Sequence, residues 1–130
     1  MGMKYLWDTN IAIYYLQEQF PLNAEKFIDH IIKEEQPALS VISEIELYCW
    51  KTATEEDLKV LHLFINEAVV IELTQAIKMK TAEIRKAIRI KLPDAIIAAT
   101  ALEYNCTLLR RNISDFSATD KLRIINPWDQ

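Results

Sequence analysis

Short apolar runs with β character alternate with helical stretches along this chain, and that alternation leaves few folds open. Residues 3–7 read as a short buried strand, followed by a helix through Ile11, Ile13 and Leu16 that Asp8 or Thr9 would cap. Pro21 ends that helix, and Asn23 opens a second with Phe27, Ile28, Ile31 and Ile32 at helical spacing. A strand is expected over 38–42, then a helix capped by Ser43, with Glu46 at the capping-box position. Residues 54–66 read as a helix with acids at its positive dipole end, and the β-branched stretch 68–73 reads as a strand. Thr74 caps a long basic helix expected to end near Lys91. Residues 94–104 are apolar almost all round, which indicates a buried helix, and Asn105 suits a left-handed residue after it. Strands at 106–109 and 122–125 complete the pattern. Strands alternating with helices imply an α/β fold with a mostly parallel sheet covered on both faces.

The 130 residues fit a single domain over 1–130, and 51% apolar content excludes a disordered chain. No apolar run approaches the ~18 residues that a membrane span needs. The amino-terminal stretch lacks a basic region followed by a signal-type apolar core, so a cytoplasmic protein is expected. Cys49 and Cys106 match no zinc spacing and are expected to be reduced core thiols, while His30 and His62 are isolated. The only glycine is Gly2, which excludes the Gly-rich loops of nucleotide-binding folds. A net charge of -4 argues against indiscriminate nucleic-acid binding. Charge is uneven, however: residues 78–91 carry Lys78, Lys80, Arg85, Lys86, Arg89 and Lys91 against Glu83.

Four acids fall at the ends of these elements. Asp8 closes the first strand, Glu46 lies one turn into the helix after the second, Asp94 starts the buried helix, and Asp115 follows the strand at 106–109. Ligands of parallel sheets bind at the carboxyl ends of the strands, so all four can converge there. Each also has a structural explanation: Asp8 as a cap, Glu46 in the capping box, Asp94 as a dipole-compensating acid, Asp115 in a turn. Glu44 points about 160° away from Glu46 around the helix. The apolar run around Asp94 makes it the most deeply placed charge expected. Carboxylates beside such apolar stretches are costly to bury without a partner, and a divalent cation is the simplest shared one.

The ordered set resembles the PIN-domain ribonucleases, specifically the small VapC-type toxins of toxin–antitoxin pairs. It is carried by residues 4–11, by 40–43 with Glu46 and Leu47, by 92–102 and by 108–116. The resemblance implies a PIN-like three-layer α/β/α fold and assigns Asp8, Glu46, Asp94 and Asp115 as metal-binding acids for Mg²⁺ or Mn²⁺. Asn10, Ser43 and Asn112 match supporting polar positions, and Thr9 is expected to join them in orienting the carboxylates. It implies endoribonuclease activity leaving a 5′-phosphate, an inhibitory antitoxin partner, and a homodimer formed through the helices at 11–20 and around Phe27 and Ile31. Arg85, Lys86, Arg89, Arg110 and Arg111 form the candidate RNA-backbone surface. The sequence departs from the family in three places: Arg110 stands where Thr is frequent, Ile90-Lys91 replace a loop glycine, and Asn105 stands where glycine is common. The alternatives are a protein-binding PIN module, with Leu16, Phe20, Tyr48 and Trp50 as a partner surface, and a housekeeping or DNA-directed nuclease of the same chemistry. Core burial is the competing explanation for those four apolar residues.

Overall fold

The computed structural model describes residues 3–116, 119 and 121–130, without the side chain of Asp115. Its elements follow in the order β1 (Tyr5–Trp7), α1 (Thr9–Leu16), α2 (Leu22–Glu34), β2 (Ala38–Ser40), α3 (Val41–Tyr48), α4 (Glu55–Glu67) and β3 (Val69–Ile71). Then come α5 (Gln75–Ala87), α6 (Leu92–Glu103), β4 (Thr107–Leu109), a 3-10 turn (Ser114–Phe116), β5 (Ile124–Ile125) and a second 3-10 turn (Pro127–Asp129). All described strand pairs are parallel: β1 with β4, β4 with β5, and β2 with β3. β1 lies beside β2 without a ladder joining them. Among the described residues no helix is long and apolar enough to cross a membrane.

Period-two alternation builds the three layers. Leu6, Ala38, Ile71 and Leu108 face one core with α5 and α6, whereas Trp7, Leu39 and Leu109 face the other with α1, α2 and α4. Ala95 to Ala101 of α6 are all buried, so the helix is apolar all round because it is covered on every side.

Several boundaries differ from the sequence reading, each for a local reason. β2 stops at Ser40, whose hydroxyl accepts from the Ile42 N–H at 3.1 Å and caps α3; Ser43 instead lies fully buried inside that helix. Pro21, not Asn23, precedes α2, and the Asn23 amide instead donates to the carbonyls of Trp128 and Gln130. Thr54 and Asp57 form a complete capping box. Thr74 caps α5 as expected, but that helix ends at Ala87, so Arg89 and Lys91 lie in the loop before α6. Asn105 adopts φ 54°, the left-handed conformation its side chain tolerates. Cys106 is buried and burial pushes its thiol up, but Cys49 is exposed rather than part of the core. Tyr48 is also exposed, so core burial does not account for it.

Candidate active site

Asp8 and Arg110 lie side by side because the β1–β4 register carries on past both strands. Trp7 pairs with Leu109, the Asp8 N–H then donates to the Leu109 carbonyl at 3.0 Å, and the Arg110 N–H donates to the Ile125 carbonyl at 3.0 Å. Asp8 occupies the N-cap position of α1, but its side chain makes no capping bond. It turns instead to Arg110, whose Nη1 lies 3.2 Å from Asp8 Oδ1 and 3.4 Å from Asp94 Oδ1. Asp94 comes from the first turn of α6, where Pro93 forfeits no helical hydrogen bond and the acid faces the positive dipole end. One guanidinium nitrogen thus bridges two carboxylates from opposite ends of the sequence.

Contrary to the sequence reading, Asp8 and not Asp94 is the deeper acid: their side chains are 6% and 21% exposed. Burial pushes the Asp8 carboxyl above its ordinary range; Arg110 opposes that shift, while Asp94 and Glu46 add to it. Glu46 joins the site through neutral groups. The Thr9 hydroxyl donates to Glu46 Oε1 at 2.6 Å and lies 2.9 Å from Ser43 Oγ. The capping-box role expected of Glu46 is therefore absent, since Ser40 is the cap and Glu46 is held by Thr9 across the α1–α3 boundary. Glu44 faces elsewhere and accepts from the Tyr48 hydroxyl.

The remaining expected residues divide. The site role given to Asp115 lies outside the described residues, although its backbone falls in the 3-10 turn after β4. Asn10 is exposed at the start of α1, and its side chain makes no hydrogen bond among the described residues. Among the described residues the Asn112 side chain contacts none of the acids: it accepts from the Ser114 N–H and hydroxyl, and the Asn112 carbonyl accepts from Arg110 Nε at 2.7 Å. Arg111 lies against aromatic rings, donating to the Tyr14 hydroxyl at 3.0 Å with its guanidinium carbon 4.5 Å from the Trp128 ring centre. Arg85 donates to the Ile90 carbonyl and folds the loop that leads to Asp94. The sequence reading missed the Arg110 bridge, and the signal for it was the β1–β4 register, not any local pattern.

Among the described residues no group of three or more His, Cys, Asp or Glu side chains gathers closely enough to hold a metal ion. Asp8 and Asp94 nonetheless already share one cation and offer hard oxygen donors. Mg²⁺ keeps several waters and commonly needs one or two carboxylates, so this donor set fits it or Mn²⁺.

Comparison with known proteins gives four concordant findings. The family model described as the PIN domain matches residues 5–122. "Ribonuclease VapC2" of Rickettsia felis is 26% identical over 136 residues, covering 98% of this chain and all of that protein. A toxin-antitoxin complex from Klebsiella pneumoniae contains a chain with TM-score 0.77 and 26% identity, covering 95% of this chain and 98% of that one. A DNA-bound VapBC from Salmonella typhimurium shares the fold at TM-score 0.80 and 21% identity, covering 96% of this chain and 98% of that one.

Proposed function

The chain belongs to the PIN-domain family, and from that membership we propose that it is a metal-dependent endoribonuclease, the toxin of a toxin–antitoxin pair. The observation that carries the reading is the convergence of Asp8 and Asp94 on one cation at the carboxyl end of the sheet. The ribonuclease naming of the Rickettsia relative and the toxin-antitoxin complex of the Klebsiella relative support the activity and the partner.

Asp8 and Asp94 would hold Mg²⁺ or Mn²⁺, with Glu46 and Asp115 completing the set directly or through water. When bound, the cation supplies Lewis-acid polarisation and charge neutralisation at the phosphodiester. The chain's own residues do the positioning. Thr9 would fix the Glu46 carboxylate and Ser43 the Thr9 hydroxyl, supporting roles that typically matter about 10–100-fold. Asn112 shapes the turn that carries Arg110. The exposed Arg85, Lys86 and Arg89 flank the loop into Asp94 and would track the RNA backbone without reading its sequence. Asn10, exposed two residues after Asp8, would meet substrate. The antitoxin would bind across the acidic cleft. A homodimer would draw on the half-buried Tyr14, Leu16, Phe20 and Phe27, because Ile11 and Ile31 are spent in the protomer's own core. We place the protein in the cytoplasm, where its RNA substrate is found.

The test is cleavage of RNA and DNA oligonucleotides by purified protein, with Mg²⁺ or Mn²⁺ and with chelator. RNA cleavage that needs metal and is lost in a folded Asp94→Asn variant is the expected result. Cleavage unaffected by Asp94→Asn would remove Asp94 from the chemistry and overturn the assigned site, whereas a folded parent inert on RNA with either metal would overturn the nuclease reading in favour of a binding module. Preference for DNA would leave the chemistry and remove the substrate.

A further inference from the structure

The cation between Asp8 and Asp94 belongs to the chain itself. Arg110 Nη1 lies almost equally far from both acids, at 3.2 and 3.4 Å. Its guanidinium is also anchored away from them: Nε donates to the Asn112 carbonyl at 2.7 Å, and its carbon lies 4.6 Å from the centre of the buried Phe116 ring. The contacts therefore differ in quality. The anchor bond is short, whereas both carboxylate contacts exceed the ~2.7–2.9 Å of an optimal charge-assisted bond. Among the described contacts, the bond of Arg110 to its own turn is shorter than its contacts with Asp8 and Asp94.

Asp8, Asp94 and Glu46 repel one another when ionised, and Asp8 is buried, so a positive charge between them is favoured. A planar, permanently charged fork supplies it from the residue just after β4 and requires no bound ion. We propose that Arg110 is an exchangeable internal counter-cation, which neutralises Asp8 and Asp94 in the metal-free protein and competes with the divalent metal for them. The inference rests on the metal-dependent reading above. It adds that metal affinity is set by the cost of displacing Arg110. Because the anchor to Asn112 and Phe116 does not involve the carboxylates, the side chain can release them without leaving its turn.

The experiment is calorimetric titration of Mn²⁺ into metal-free full-length parent, Arg110→Gln, Arg110→Lys and Asp94→Asn, each shown to be folded by its melting curve. Arg110→Gln should bind Mn²⁺ roughly tenfold more tightly than the parent, the loss of one competing charge-assisted contact. Its metal-free melting temperature should fall and recover with Mn²⁺. Arg110→Lys should lie between, since one ammonium cannot serve both the carboxylates and the anchor. It carries the test if Arg110→Gln does not fold. Equal or weaker Mn²⁺ binding in the Arg110 variants, with binding lost in Asp94→Asn, would overturn the counter-cation and leave the metal site standing. No Mn²⁺ binding by parent or Arg110 variants would overturn both.

Discussion

Strand β1 has a carboxylate at each end, and the two are satisfied in opposite ways. At its start, the Glu35 carboxylate accepts from the backbone N–H groups of Lys4 and Tyr5 at 3.1–3.2 Å. At its end, Asp8 is buried, faces two other acids, and has a side-chain cation beside it. Backbone donors are fixed by the fold, so Glu35 ties α2 to the sheet and nothing more. A side-chain cation can move. The amino end of the strand is thus built for stability, and the carboxyl end carries charge that another cation can take over.

That contrast can be broken at either end. The largest effect is expected at the carboxyl end: Asp8→Asn or Asp94→Asn should lower metal-dependent RNA cleavage by roughly 100-fold or more, beyond what a supporting residue supplies. In the same assay Glu35→Gln should cleave like the parent. A matching loss in Glu35→Gln would show that the two ends are not distinct. Thr9→Val keeps the shape of the side chain and removes the hydroxyl that holds Glu46. Cleavage should fall about tenfold with little change in folding, and parent-like rates would release Glu46 from the site.

Outside the pocket the effect should be smaller and should depend on salt. Replacing Arg85, Lys86 and Arg89 with Gln should weaken RNA binding and flatten the slope of log affinity against log salt. An unchanged slope would return that segment to an ordinary solvated surface. Smallest is the stability cost at the amino end: Glu35→Gln weakens charged hydrogen bonds at an exposed rim, about 1 kcal/mol by denaturant titration. A loss several times larger would mean that Glu35 holds more of the fold than its three contacts suggest.

The fold was largely legible because its signals are local. Short apolar runs at 3–7, 38–42 and 106–109 named the strands, and the apolar run of α6 named the central helix. Helix ends were less legible where two candidates compete. Ser40 and Ser43 both precede apolar positions, and only the chain's path out of β2 decides that Ser40 caps. The capping-box alternative for Glu46 does not hold, since Ser40 caps α3 and the same spacing brings Glu46 within reach of Thr9. The relative depth of Asp8 and Asp94 was misjudged because a helix apolar all round still opens its first turn toward the pocket. Arg110 was legible as a basic residue and a departure from the family pattern, but its contact with Asp8 joins residues 102 apart in sequence. Such a contact depends on strand register, which no local window contains.

The most direct test of the account is the melting temperature of the metal-free protein with and without millimolar Mn²⁺. A ligand that binds only the folded state must raise it. The account predicts a rise in the parent and in Glu35→Gln, and none in Asp8→Asn or Asp94→Asn. An equal rise in all four, or none in the parent, would contradict a metal site built on Asp8 and Asp94.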